Sequence, residues 1–384
     1  MKIGIDASNI RSGGGVTHLV EFLQAACPEE DQFTQITVWG GKRTLLQLPS
    51  HKWLKPSHDP LLDGPLPLRL YWQRVKLLGL AVKNCDILFL PGAGTANGFK
   101  PYVTMSQNLL PFEKTERARY RVSPTFFRLL LLRYQQARSF RNADGILFLS
   151  DYARSKVISQ IGNLKGRARV VPHGVNTGFR CLPREQKPIR AYSKEHPFRF
   201  LYVSIVNLYK HQWHVAEAIK ELKKEGYPVT LELIGPAYPP ALRRLQNLLN
   251  QIDPEREFIY YRGPLHYKSL PRPYAQADGF VFASSCENLP SILIEAMAAG
   301  LPIACSNRGP MPEILGEAGV YFDPENPSEI AAALRCLIEH ADMRERCAHL
   351  AYSRSLDYSW SRCARETFSF LAEVARGNGA PTKP

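Results

Sequence analysis

Short apolar runs rich in Val, Ile, Leu and Phe alternate along this chain with longer stretches whose apolar positions recur at helical spacing. The runs at 2–6 (KIGID), 34–39 (TQITVW), 86–90 (DILFL), 102–106 (YVTMS), 145–149 (GILFL) and 169–171 predict strands. Helices are expected between them at 16–25, 124–141 and 152–160. Strands buried on both faces read as continuous apolar runs, and crossovers of this length favour a right-handed β-α-β weave. The pattern then restarts. Strands are expected at 198–204, 229–234, 257–261, 279–283, 302–305 and 319–322, with helices near 211–225, 240–250, 291–299 and 327–339. Residues 181–197 (CLPREQKPIRAYSKEHP) have three prolines, many charges and no usable period, so they read as a linker. The fold class is therefore α/β, with two doubly wound domains at 1–180 and 181–357, a last helix near 358–375, and a loose tail within 358–384. Ligands of such sheets bind beyond the carboxyl ends of the strands, which directs attention to those loops and to a cleft between facing domains.

Composition narrows the function classes. The 384 residues are 45% apolar and 22% charged, enough for full cores, which excludes a disordered or collagen-like chain. No stretch approaches twenty uninterrupted apolar residues, and MKIGIDASNI at the start reads as a strand, not as a signal segment. Eight cysteines lie scattered without a C-x-x-C pair, which suits a reduced, cytoplasmic chain better than a disulfide frame or a zinc site.

The net charge of +14 is unevenly placed. Residues 1–180 hold 25 Lys and Arg against 12 Asp and Glu, whereas 181–384 hold 24 against 23. That asymmetry points to one half facing an anionic partner. From Lys114 to Arg141 there are eight basic residues and one acid, Glu116, around Phe126, Phe127 and Leu129 to Leu132. A helix from Pro124 would turn the leucines inward and some arginines outward. Such a segment suits an anionic inner-leaflet surface, and equally a buried helix with a solvated charged face. No nucleic-acid recognition motif accompanies the charge.

The densest chemical signal is 284–300, SSCENLPSILIEAMAAG. A strand ends in small residues, Glu287 follows, and Pro290 opens a helix closed by Gly300. The N–H groups of Leu289, Ser291 and Ile292 would meet a phosphate at the positive end of the helix. Glu287 and Glu295 on either side make sense if both accept sugar hydroxyls; spacing alone leaves open two unrelated surface glutamates. Gly13-Gly14-Gly15 follow the first strand and permit close backbone approach to a phosphate. They do not form G-x-G-x-x-G, so a dinucleotide site is not supported. His18 beyond them either faces the cleft or packs. His211 and His214 share an H-x-x-H spacing with no third ligand, so no metal site is expected.

The segment 284–300 resembles the E-x7-E motif of the retaining family 4 glycosyltransferases. So do its flanks, SLPRPYAQADGFVFASS (269–285) and EAMAAGLPIACSNRGPMPEILGEAGVYFDPENP (295–327), together with VVPHGVN (170–176) and YVSIVNLYKHQ (202–212). The resemblance covers roughly 170–375 well and the earlier residues thinly. It implies the GT-B fold, two facing Rossmann-like domains with a C-terminal helix crossing back to the first. It also implies that Glu287 contacts hydroxyls of the donor sugar, Glu295 holds the nucleotide ribose, Lys210 neutralises the pyrophosphate, and Gly14 and Gly15 approach the donor phosphates. The arginine that the family carries five residues before Lys210 is replaced by Ile205, with Asn207, His211 and Arg308 as candidate substitutes. At the position where the family places a cleft residue near the acceptor stand Gln107 and Asn108, neither a base at neutral pH. Asn108 is expected to position the acceptor, Glu113 is the nearest acid, and the leaving phosphate can itself take the proton.

The resemblance thus implies transfer of a hexose, with retention, from a UDP- or GDP-linked donor to a saccharide acceptor, plausibly lipid-linked, in surface glycan assembly. No cofactor and no nucleic acid is expected, and no D-x-D supports a metal-bridged diphosphate. A nucleotide-sugar epimerase of the same fold and a non-enzymatic nucleic-acid-binding α/β protein remain the alternatives.

Overall fold

The computed structural model describes residues 1–377 except 12, 95, 97 and 122; most of the expected loose tail lies outside the described residues. The chain divides into two compact units, 1–174 with the segment from Ser359 onward, and Val175–Tyr358. The division falls six residues before the expected junction at 180/181.

Among the described residues the first unit contains seven strands: β1 (Lys2–Asp6), β2 (Gln35–Gly40), β3 (Leu54–His58), β4 (Ile87–Leu90), β5 (Tyr102–Met105), β6 (Gly145–Phe148) and β7 (Arg167–Val170). They lie in the order β3-β2-β1-β4-β5-β6-β7, and every pair is parallel. The second unit holds β8 (Phe198–Val203), β9 (Val229–Ile234), β10 (Ile259–Gly263), β11 (Gly279–Phe282), β12 (Ile303–Ser306) and β13 (Val320–Phe322). Their order, β10-β9-β8-β11-β12-β13, is again all parallel. Both units are Rossmann-like, with the strand order reversing beside the first strand of each.

The strand at Leu54–His58 carries no apolar signature because it lies at the edge of its sheet, where one side needs no partner. Its sequence, LKPSH, keeps Leu54 buried and tolerates Pro56. The helices Leu66–Val75, Leu77–Asn84 and Ala341–Ser355 also escape the periodic reading. In the first, Trp72 is the one fully buried apolar anchor. The linker residues 181–197 form only one short 3-10 turn, Ile189–Ala191.

The last helix, Trp360–Gly377, belongs to the first unit. It buries Phe368, Phe370 and Leu371, with Phe368 stacked on Phe22 at 5.0 Å. Its approach to the sheet needs Gly145, where a Cβ would stand 2.9 Å from both Phe370 and Val374. At the outgoing and returning crossings, a Cβ on Gly174 would overlap the Trp360 backbone, so glycine permits the chain segments to touch.

Candidate functional site

In each sheet the strand order reverses beside its first strand, and the loops that leave those strands at their carboxyl ends splay apart to leave room for a ligand. In the second unit the two loops are 204–211, after β8, and 283–290, after β11. They are laced together by backbone and side chain. The Ser285 N–H donates to the Tyr209 carbonyl at 2.9 Å, and the Tyr202 hydroxyl donates to the Lys210 carbonyl at 2.6 Å. Buried His211, in the left-handed region at φ 51°, ends the first loop and brings its Nε2 to 2.9 Å from Ser285 Oγ.

This lacing brings Lys210 and Glu287 together. The Lys210 ammonium is ion-paired and hydrogen-bonded to Glu287 Oε1, and it lies 5.0 Å from the Phe282 ring centroid. Both side chains are largely withdrawn from solvent, 4% and 15% exposed, so their charges attract through little water. A buried pair of this kind is costly to split unless another charge takes over one partner.

Glu287 stands on the loop and Glu295 within the helix Ser291–Ala298, as the spacing requires. Glu295 is buried, its Oε2 accepts the Tyr274 hydroxyl at 3.0 Å, and Tyr267 adds a second hydroxyl. Burial outweighs those donors and lifts its carboxyl to about 7. Tyr274 and Tyr267 were missed by residue-level reading; both lie in or beside the quoted stretch 269–285, but nothing in their spacing aims them at Glu295. The helix ends in a Schellman turn, with Leu301 N–H on Ala296 O and Gly300 N–H on Met297 O. Gly300 has φ 65°, and a Cβ there would press the Cys181 carbonyl at 2.7 Å.

One expectation for this unit changes. The Ser291 N–H is not free for an anion, because it donates to the Leu289 carbonyl at 2.9 Å; a tight turn at Pro290 folds it back. The Leu289 side chain is buried, which leaves its backbone N–H, the group expected to meet a phosphate, as its means of contact. Arg308, the charged candidate for the missing arginine, is ion-paired, as Lys210 is. Its Nη2 donates to both carboxylate oxygens of Asp323 at 2.8 and 2.9 Å and its Nη1 to Glu325 Oε1 at 2.6 Å. Asn207 Oδ1 accepts from the Leu208 N–H at 2.8 Å. The rings of His211 and His214 stack at 5.3 Å, and His214 Nδ1 faces the Pro324 carbonyl at 3.0 Å.

In the first unit, Gly13 caps the helix Gly14–Gln24 with φ 67°. A Cβ on Gly14 would meet nothing within 4 Å, and one on Gly15 would meet only Gln107 Oε1 and Ile10 at 3.6 Å. Packing therefore does not demand these two glycines, and the first turn of the helix stands open there. Asn108 is exposed, its Oδ1 accepting the Leu110 N–H at 3.1 Å in a side-chain-closed turn. Glu113 is buried and occupied by the Tyr152 hydroxyl at 2.6 Å and Lys156 at 2.9 Å. His18 packs: fully buried, it stacks on His173 at 4.3 Å and Phe22 at 5.5 Å, and burial lowers its pKa to about 4. Asp6, at the end of β1, is also buried, accepting from Ser8 N–H at 2.9 Å and Gln73 at 2.6 Å.

Residues 184–354 match the family described as glycosyl transferases group 1, so the second unit carries that domain. Over 240 residues the chain is 26% identical to O-antigen chain mannosyltransferase B of Escherichia coli, covering 60% of this chain and 61% of that one. Over 247 residues it is 27% identical to spore coat protein SA of Bacillus subtilis strain 168, covering 58% and 63%. The matches thus span about three fifths of the length of these relatives. Among solved structures, Anabaena HepE in complex with UDP and glucose superposes with a TM-score of 0.71 at 19% identity, covering 97% of this chain and all of that one. At that identity the likeness concerns the fold, which is GT-B.

Proposed function

We propose that this chain, whose residues 184–354 form a glycosyl transferases group 1 domain, transfers a hexose from a nucleotide diphosphate sugar to a saccharide acceptor with retention of configuration. The observation that carries the reading is the Lys210–Glu287 pair, held between the two switch-point loops and followed by buried Glu295. The mannosyltransferase relative supports a saccharide acceptor, and the HepE complex supports a UDP-type donor.

In this reading the donor diphosphate takes over part of Lys210, whose charge offsets the negative charge that grows on the leaving group. Glu287, partly released, accepts hydroxyls of the donor sugar and fixes the ring. Glu295 accepts ribose hydroxyls as a carboxylate. The acceptor hydroxyl forms its bond to the anomeric carbon on the face from which the bond to the β-phosphate breaks, and its proton passes to a phosphate oxygen. No side-chain base is required, consistent with the occupied state of Glu113. Gly14 and Gly15 line the phosphates through their backbone, and Asn108 orients the acceptor. The enzyme acts in the cytoplasm, on an acceptor carried by lipid, which accounts for the basic excess of residues 1–180.

The test begins with thermal shifts against UDP-, GDP- and ADP-sugars, since a tightly bound donor raises the midpoint by mass action. The selected donor is then incubated with saccharide acceptors, and the product's anomeric configuration is read by NMR. Sugar interconversion without acceptor would show an epimerase instead. Inversion, or full transfer by Glu287→Gln, would defeat the mechanism.

A further inference from the structure

We propose that the outer face of the helix Pro124–Asn142, with the helix Leu66–Val75 on the same side of the first sheet, is a docking surface for an anionic lipid bilayer. The proposal is independent of the chemistry at Lys210 and Glu287.

The helix Pro124–Asn142 does not bury its leucines as the sequence suggested. Four consecutive residues sweep most of a helical turn, so Leu129 alone is fully buried, while Leu130 and Leu131 are exposed. Leu129, Gln136 and Phe140 make the inward face. Phe127, Leu131 and Tyr134 recur at helical spacing on the outward face and are 68%, 57% and 66% exposed. The second helix presents Leu66, Tyr71 and Val75, each more than half exposed. Trp72 and Phe140 anchor the two helices in one apolar core with Ile146 and Phe148, which puts them on one side of the sheet. Most of the exposed large apolar side chains among the described residues fall in 66–82 and 127–134. A recess of about 850 Å³ lined by Arg121, Ser123, Pro124, Phe126 and Phe127 opens at the start of the longer helix.

Charge selects the occupant. Neither 64–85 nor 117–143 contains an acid. Of the basic side chains in these segments, Arg117 is buried on the Pro111 carbonyl, Arg119 is paired with Glu116 at 2.6 Å and Lys76 with Asp59 at 2.8 Å. Among the described residues, Arg74, Arg121, Arg128, Arg133 and Arg138 form no ion pair. Unpaired arginines bordering exposed aromatic and aliphatic side chains complement a surface that is negative outside and apolar beneath. No helix among the described residues is long and apolar enough to cross a membrane, so the contact is one of lying on the surface.

The full chain should sediment with equimolar phosphatidylcholine–phosphatidylglycerol vesicles at low salt and weakly with phosphatidylcholine alone. Phe127→Ser with Leu131→Ser should lower vesicle affinity about tenfold or more at every salt concentration. Arg128→Gln with Arg138→Gln should lower it about tenfold at low salt, with the difference shrinking as ions screen the surface. All four residues are at least partly exposed, so thermal midpoints should hold; Leu130→Ser with Tyr134→Ser is the second apolar pair should one variant fail to fold. Equal binding to both vesicle types, no binding to either, or variants that bind like the parent would overturn the proposal. So would a lipid-free dimer abolished by Phe127→Ser with Leu131→Ser, or polynucleotide binding in place of vesicle binding.

Discussion

The two units repeat one strand order around a first strand flanked by its second and fourth partners, and each buries titratable groups near it that burial pushes toward their neutral forms. The second unit buries a carboxylic acid, Glu295, lifted to about 7. The first buries His18 against His173, with His18 lowered to about 4. Desolvation is the cause in both, because burial disfavours whichever form is charged. A shared scaffold thus sets where loops converge but not what they hold. In the second unit, the loops after β8 and β11 carry a withdrawn ion pair; in the first, the helix after β1 opens on glycines and the turn after β5 is closed by the Asn108 amide.

The largest effect tests that contrast directly. Glu287→Gln should reduce kcat about 10²- to 10³-fold, since in the proposed mechanism it removes a group that fixes the reacting sugar. It also strips Lys210 of its carboxylate, so a thermal melt should show destabilisation of about 3 kcal/mol. If Asn108→Ala in the first unit lowers kcat as much, the division into a donor unit and a positioning unit breaks.

Next comes pH. Glu295 favours the fold in its protonated form, so its contribution is fully present below pH 4.5 and is lost as pH rises through about 7. His18 favours the fold when neutral, so its contribution is fully present above pH 6.5 and is lost as pH falls through about 4. Each amounts to about 3 kcal/mol across its window. Buried Asp6, also raised, opposes His18 within the first unit. Peptide-resolved hydrogen exchange should show the Glu295 helix loosening on alkalinisation and the His18 helix loosening on acidification; Glu295→Gln should remove the first response alone.

A smaller shift sharpens the ribose assignment. Nucleotide affinity should rise as pH climbs through about 7, as the Glu295 carboxylate forms, and Glu295→Gln should flatten that rise, as measured by calorimetry. Asn108→Ala removes the Asx turn at Leu110 and should cost about 1 kcal/mol of stability, with a modest loss of kcat, both measurable in the same preparation. The smallest expected effect is that of a chelator: transfer should survive EDTA if, as proposed, Lys210 supplies the charge at the diphosphate.

Much of this was legible in the chain. Short apolar runs marked twelve of the thirteen strands among the described residues; the clearest, such as Ile87–Leu90 and Gly279–Phe282, are covered on both faces and show no polar alternation. The edge strand Leu54–His58 and the helix Leu66–Val75 escaped, since each rests on one or two buried residues. The E-x7-E spacing located Glu287 and Glu295 on a loop and a helix. It did not reveal that Ser291 spends its N–H on Leu289, or that Arg308 is taken by Asp323 and Glu325.

The sequence by itself determined the two α/β series and the acids at 287 and 295, because periodicity, glycines and prolines act locally. Only the tertiary structure decided that Lys210, 77 residues from Glu287, would be its partner, and that tyrosines at 267 and 274 would hold Glu295. Parallel crossovers bring together loops separated by whole β-α units, and no local pattern records which side chains meet there. The outward leucines of the helix Pro124–Asn142 follow the same logic: composition supplied the residues, and the angle at which the helix lies on its sheet chose which ones face water.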